Sequence, residues 1–278
     1  MPELPEVETI ANDIRPGLVG STLESVRVLR ADVLRGVTAR RFERALRGRR
    51  VAAVGRRAKH VVIELDDEHR VVIQPRMTGS LHVSAANGAS DRYVVIAADL
   101  STGRRLVFRD VRRLGAVHLL TPAAWRRYTE RLGPEPLERG FTAPRLLAAL
   151  AGRGGRGGRL AVKKALMDQR RIAGVGNIYA NEALWSAGLD PSRPAGTITS
   201  AEARRLLRAL VAVLRRSIRG RGTTVRDYRT GTGEAGTFQS RLKVYGRAGR
   251  PCRRCGRRLV LTHAVDARAT YFCPGCQR

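Results

Sequence analysis

Val7, Ile10, Ala11 and Ile14 recur at i, i+3, i+4 and i+7, which predicts a helix over residues 5–15 with one apolar face. Pro5 suits its first turn, Glu6 and Glu8 complement the positive end of the helix dipole, and Pro16 is expected to stop it. Pro2 and Glu3 then fall just outside the helix, fixed by it but free to project. From Thr22 to about Leu120 the pattern changes to short β-branched runs: Val26–Leu29, Val51–Val54, His60–Leu65, Val71–Gln74, Tyr93–Ala97, Leu106–Phe108 and Ala116–Leu120. Turn clusters such as Asp66-Asp67 and Asn87-Gly88 separate several of them, a spacing that predicts an antiparallel sandwich or barrel. One helix near Ala39–Arg47 interrupts it.

Residues 121–160 read as a boundary. Gly133-Pro134-Glu135-Pro136 cannot hold regular structure, and the Gly/Arg segment Gly152–Gly158 is expected to be flexible. Downstream the apolar spacing becomes helical. Ala203, Leu206, Leu207, Leu210, Val211 and Leu214 form one stripe, with Thr199 and Glu202 as a capping box and Gly220 as the stop. Ala180, Ala183, Leu184 and Ala187 form another, closed by Gly188. It follows Gly174-Val175-Gly176-Asn177, a turn able to aim backbone N–H groups at a phosphate in a helix–turn–helix variant, although simple N-capping reads the same way.

Charge changes the picture. With 53 Lys+Arg against 24 Asp+Glu, a net +29, the surface must carry a positive field that favours a polyanion, foremost nucleic acid. Codon bias explains arginine over lysine but not the excess of bases over acids. The 43% hydrophobic content allows a real core. The acidic start lacks the apolar stretch of a secretory signal, and no run reaches the length of a membrane span, so a cytoplasmic, nucleoid-associated protein is expected.

Cys252-x2-Cys255-x17-Cys273-x2-Cys276 has the spacing of a four-thiolate site for one structural Zn²⁺ in a β-hairpin ribbon, flanked by arginines. A disulfide is disfavoured in a reducing compartment. Met77, before Gly79, and Arg112-Arg113 are loop candidates. An exposed methionine is commonly a stray apolar residue, but in a DNA enzyme it can wedge between bases. The only lysines are Lys59, Lys163, Lys164 and Lys243, and lysine, unlike arginine, can exchange a proton.

Over essentially its whole length the chain resembles the bacterial formamidopyrimidine-DNA glycosylases. The resemblance rests on Pro2-Glu3-Leu4-Pro5-Glu6-Val7-Glu8-Thr9, Arg57-Ala58-Lys59, Met77-Thr78-Gly79-Ser80-Leu81 and Asp110-x-Arg112-Arg113-x-Gly115. It continues through Gly133–Leu137, Gly174–Glu182, Gly222-Thr223-Thr224, Val244-Tyr245-Gly246-Arg247 and the cysteine ribbon. Pro2-Glu3-Leu4 favours this branch over the related endonuclease VIII branch. The implied fold is α+β and multidomain: an N-terminal helix with an antiparallel β-sandwich (1–133), a helical helix-two-turn-helix domain (134–243) and a zinc finger (244–278), with DNA in the cleft between the halves. The implied activity is excision of oxidised purines such as 8-oxoguanine and formamidopyrimidines from double-stranded DNA containing a damaged base, with abasic-site lyase activity, by a monomer.

The resemblance also implies roles. Pro2, freed by loss of Met1, attacks C1′ to give a Schiff base, and Glu3 is the general acid/base. Lys59 serves phosphate contact and β-elimination, and Arg268 serves δ-elimination. Met77, Arg112 and Leu114 match the three side chains inserted into the duplex; Arg159, Lys163 and Asn177 match phosphate contacts. Residues 222–239 match a loop that closes over the extruded base. The chain departs from the family pattern at Leu114, where phenylalanine is usual, at Gln74-Pro75-Arg76, at Asp91-Arg92-Tyr93 in place of a His-x-His pair, and at Lys164-Ala165. These changes bear on lesion recognition more than on the chemistry at Pro2. Two other readings are a same-fold glycosylase preferring oxidised pyrimidines or abasic sites, and a zinc-dependent DNA-binding protein without catalysis. The intact Pro2, Glu3 and Lys59 set argues against the second.

Overall fold

The computed structural model describes residues 1–85, 91–152, 158–225 and 227–278. The Asn87-Gly88 turn, residues 153–157 of the Gly/Arg segment and Arg226 lie outside the described residues.

Helix α1 spans Leu4–Leu18 with Leu4, Val7, Ile10, Ala11, Ile14 and Leu18 buried. It runs past Pro16, the expected stop. A proline in the last turn removes a single N–H, and the helix still closes through Val19 N–H donating to the Arg15 carbonyl (3.0 Å). Glu3 is the N-cap and forms a reciprocal capping box with Glu6. Pro2 and Glu3 are therefore buried at the helix start, not projecting.

Eight strands follow: β1 (Leu23–Val28), β2 (Val51–Arg57), β3 (His60–Leu65), β4 (Arg70–Gln74), β5 (Gly79–Ala85), β6 (Val94–Leu100), β7 (Arg104–Asp110) and β8 (Ala116–Leu120), with α2 (Ala39–Leu46) between β1 and β2. They form two antiparallel four-stranded sheets, ordered β1-β6-β7-β5 and β2-β3-β4-β8. One core joins α1 to both sheets through residues such as Phe42, Ile63, Val71, Leu81, Leu100, Phe108 and Val117, which makes the expected sandwich. Strand β5 was not expected. Its Leu81 and Val83 alternate with Ser80, His82 and Ser84, and it pairs with β7 from Gly79↔Asp110 to Ala85↔Arg104. Gly79 is required there, because a Cβ would stand 2.3 Å from the Pro75 carbonyl oxygen.

Residues 121–160, read as a boundary, contain α3 (Pro122–Glu130) and α4 (Ala143–Ala151). Pro144 stands in the first turn of α4, and Leu146 and Leu150, one turn apart, are buried. Then come α5 (Val162–Met167), α6 (Asn177–Ala187) and α7 (Ser200–Arg219), and a final hairpin of β9 (Val260–Thr262) and β10 (Thr270–Phe272). The chain forms two compact units, residues 1–129 with 217–239, and residues 130–216 with 240–278. Residues 217–239 thus group with the sandwich rather than with the helices that precede them.

Candidate active site and metal centre

In the first unit Glu6, a dipole-complementing residue by sequence, does more. It is 1% exposed; one carboxylate oxygen accepts the Glu3 N–H (2.9 Å) and the other accepts the Thr223 N–H (2.8 Å). The residue that fixes the Pro2-Glu3 start therefore also fixes the loop after α7. Gly222 permits this approach at φ +82°, where a Cβ would lie 3.0 Å from Glu6 Cγ and from Tyr228 Cε1. The Tyr228 hydroxyl donates to the carbonyls of Glu6 (3.3 Å) and Arg221 (3.1 Å). Burial, then the Glu6 charge, drives its pKa well up. Asp13 binds Arg221 (3.1 Å) and the Gly231 N–H (2.9 Å). Burial raises the Asp13 pKa against the opposing Arg221 charge. No short-range pattern could have linked α1 to this loop.

Lys59 is 5% exposed and sits in the two-residue turn joining β2 to β3. Ala58 precedes it at φ +53°, a conformation non-glycine residues rarely hold unless the surroundings impose it. Arg56 donates to the Ala58 carbonyl (2.9 Å) and is anchored by Glu8 of α1 (2.7 Å).

Met77 and Arg112 come together, with the guanidinium 3.7 Å from the Met77 sulfur, and both are exposed. Their loops share one bracket. Asp110 accepts the Thr78 hydroxyl (2.5 Å) and the Gly115 N–H (2.7 Å), and Thr78 Oγ1 accepts the Arg112 N–H (3.1 Å). Leu114 lies on the same loop, half-buried. Alongside is a cleft of about 450 Å³ lined by Thr78, Ser80, His82, Arg109, Asp227 and Arg229. Asp91 of the departing Asp91-Arg92-Tyr93 segment pairs with Arg109 (2.5 Å), and the Arg92 and Arg109 guanidiniums lie 4.7 and 4.8 Å from the Tyr93 ring centre. Sequence reasoning missed Arg109, whose one signal is its place just before Asp110. Burial, then Arg109, lowers the His82 pKa.

In the second unit, Asn177 opens α6 and donates to the Ala269 carbonyl (3.0 Å). Lys163 is fully buried. Its ammonium donates to the carbonyls of Arg268 (3.3 Å) and Ala269 (3.2 Å) and to the Thr270 hydroxyl (2.8 Å). It therefore holds the backbone beneath Arg268 rather than facing solvent, as a phosphate-contacting lysine would. The Arg268 and Arg159 side chains are exposed. Asn181 accepts the Tyr271 N–H (2.8 Å). The next residue, Glu182, accepts the N–H groups of Lys243, Val244 and Tyr245 at 2.8–3.0 Å. Consecutive residues of α6 thus hold strand β10 and the chain that leads into the final hairpin module.

The sulfurs of Cys252, Cys255, Cys273 and Cys276 all lie within 4.8 Å of one another. Four thiolates around a tetrahedral Zn²⁺ with bonds of about 2.3 Å stand roughly 3.8 Å apart, so the donor set fits one such ion. Burial opposes charge on Cys252, but the N–H groups of Arg254 and Cys255 and the Trp185 indole bring its pKa down to about 6. The indole Nε1–H lies 3.4 Å from the Cys252 sulfur, and Arg254 stacks 4.5 Å over the Trp185 ring.

Two family models match the chain: the formamidopyrimidine-DNA glycosylase N-terminal domain over residues 1–117, and the H2TH domain of the same enzymes over residues 132–229. The formamidopyrimidine-DNA glycosylase of Chloroflexus aurantiacus is 42% identical over 277 residues, covering 100% of this chain and 98% of that one. That of Laribacter hongkongensis is 42% identical over 280 residues and covers 100% of both. A solved Lactococcus lactis FPG mutant in complex with Fapy-dG containing DNA superposes with a TM-score of 0.90 at 27% identity over 100% of both chains. MutM in complex with carbocyclic 8-oxo-G containing DNA gives 0.89 at 28%, also over 100% of both. Matched over its full length both in sequence and in fold, the chain belongs to the formamidopyrimidine-DNA glycosylase family.

Proposed function

We propose that this chain excises oxidised purines from double-stranded DNA through a covalent intermediate on Pro2 and then cleaves the strand at the abasic site. The glycosylase activity follows from family membership over the full length, with relatives that carry that name and structural neighbours bound to Fapy-dG and 8-oxo-G DNA. The observation that carries the mechanism is the capping box, which holds Glu3 at the start of α1, one residue after Pro2.

The chemistry sets a condition. With Met1 attached the Pro2 nitrogen is a tertiary amide and cannot attack; once Met1 is removed it is a secondary amine, and an α-amine titrates near 8, so a useful fraction is neutral at working pH. Its lone pair forms the bond to C1′ as the glycosidic bond breaks, and the proton that the amine then gives up neutralises the departing base through solvent. Glu3 protonates the sugar ring oxygen as the ring opens, which yields an iminium. Lys59 then takes part in proton transfer during β-elimination, and Arg268 supports δ-elimination. Met77, Arg112 and Leu114 fill the space left by the extruded nucleotide, and Arg159 and Asn177 bind backbone phosphate. Lys163 contributes to DNA binding by holding the Arg268 segment. The four cysteines hold one structural Zn²⁺, which fixes the hairpin that carries Arg268. We read the working parts as residues 1–133, 134–243 and 244–278, acting as a monomer in the cytoplasm on nucleoid DNA; no helix among the described residues is long and apolar enough to cross a membrane.

Borohydride reduction of the iminium tests this reading. The mature chain traps on 8-oxoguanine and abasic duplexes, and Pro2→Gly loses both trapping and excision. Salt-sensitive binding with no adduct on either duplex would instead leave a zinc-dependent DNA-binding protein.

A further inference from the structure

The turn that carries Lys59 is held from two sides. On one side Arg56, anchored to Glu8, donates to the Ala58 carbonyl. On the other, His60 Nδ1 lies 3.1 Å from the Arg57 carbonyl oxygen, and His60 Nε2 lies 3.0 Å from the Tyr128 hydroxyl of α3. A carbonyl can only accept, so Nδ1 carries the proton; Nε2 of the neutral ring is then bare and the tyrosine donates to it. The hydrogen-bond chain runs in one direction, from Tyr128 O–H to His60 to Arg57 C=O, and ends on the residue two before Lys59.

Tyr128 is itself fixed. The Trp125 ring stacks on it at 6.1 Å with planes 13° apart, His118 lies 5.4 Å away, and the Arg70 guanidinium lies 5.7 Å from the Trp125 ring centre. The His60 ring meets the Tyr128 ring edge-on at 5.6 Å. The Ala58 backbone adds a reason for such support. A non-glycine residue at φ +53° is strained, and the turn keeps that geometry only while its neighbours impose it.

We propose that Tyr128 and His60 are positioning residues for Lys59, holding its turn so that the amine serves strand cleavage, while base excision at Pro2 does not depend on them. The inference rests on the role read above for Lys59. Burial, with the nearby charges of His118, Lys59 and Arg57, lowers the His60 pKa to about 4, so the neutral ring that the chain of bonds requires persists across the working pH range.

Single-turnover assays on one duplex separate the two steps: release of 8-oxoguanine, and strand cleavage of a preformed abasic site. Rates are normalised to the amplitude of borohydride trapping, which counts folded, competent molecules and so removes any loss through misfolding. Tyr128→Phe keeps the ring and deletes one neutral hydrogen bond, and is expected to slow strand cleavage about fivefold with excision changed by less than about twofold. His60→Ala removes both bonds and is expected to slow cleavage roughly tenfold or more, and adding Tyr128→Phe to it should cost nothing further, since both act through one chain. Lys59→Ala is the reference. If it slows cleavage while Tyr128→Phe and His60→Ala leave the normalised rates unchanged, or lower excision and cleavage equally, the positioning role is wrong and the role of Lys59 stands. If Lys59→Ala itself leaves cleavage intact, the role of Lys59 falls and the inference falls with it.

Discussion

Glu182 offers a way to separate acceptor geometry from charge at the root of the hairpin module. It is 2% exposed, and Oε1 alone accepts the N–H groups of Lys243 (3.0 Å), Val244 (2.8 Å) and Tyr245 (2.9 Å), while Oε2 accepts only that of Lys243 (2.9 Å). Glu182→Gln with its amide oxygen in the Oε1 place keeps the three-way acceptor and also removes a buried charge. It should cost about 1 kcal/mol or less. Glu182→Ala orphans the N–H of Val244, which is fully buried, and those of Lys243 and Tyr245, which water partly reaches. One full and two partial desolvation penalties come to roughly 3 kcal/mol. Burial raises the Glu182 pKa against the pull of the three N–H groups and Lys243. A carboxyl with a raised folded pKa contributes stability that is fully present below its unfolded value, about 4.3, and is lost as pH rises through the folded value. The margin of the wild type over Glu182→Gln should therefore narrow from pH 4 towards neutrality. Urea unfolding followed by Trp185 fluorescence, in a Trp125→Phe background with zinc present, measures all three proteins. If Glu182→Gln proves as damaging as Glu182→Ala at pH 7, charge rather than acceptor geometry holds the module; a margin that widens with pH would refute the direction of the shift.

Three other perturbations follow from the structure. Trp185→Phe keeps an aromatic ring against Cys252 but deletes the indole N–H to its sulfur, and loss of such an outer-shell donor should weaken zinc roughly tenfold in competition with a colorimetric chelator. Complete chelation should unfold the hairpin module, whose apolar support is little more than Trp185, Val244, Leu259 and the two buried cysteines, and should abolish binding to duplex DNA. Gly222→Ala forces a left-handed alanine against Glu6 and Tyr228; a cost of at least about 1 kcal/mol in thermal unfolding is expected, and the closure of that loop over the base that the family resemblance implies predicts that excision slows more than abasic-site cleavage.

What could be read along the chain, and what could not, divides by distance. The cysteine spacing and the Gly174–Asn177 turn are short-range patterns whose chemistry is carried by the residues themselves. The same holds for the Pro2-Glu3 start, although its burial had to be seen. Lys163 marks the other side. By resemblance Lys163 matches a phosphate contact, but its three acceptors lie 105–107 residues further on, and only the fold brings residues 268–270 onto its ammonium. Glu6 is similar: its carboxylate is a dipole partner by local rules, yet its second acceptance comes from Thr223, 217 residues away. Strand β5 escaped notice for a different reason, since its polar alternate residues resemble a loop until β7 supplies the pairing.

The division has a functional consequence. In the proposed mechanism Pro2, Glu3 and Lys59 carry the chemistry, and they stand in motifs a reader can find in order. The groups that hold them, Glu6 with Thr223 for the N-terminus and Tyr128 with His60 for the lysine, need only deliver a hydrogen bond to a backbone atom at the right place. Different side chains on different elements can meet that demand. A substitution in them should leave the reaction possible but alter the balance between its steps, whereas a substitution at Pro2 ends it. The ratio of base excision to strand cleavage, rather than overall activity, is therefore the quantity in which the supporting residues of this fold become visible.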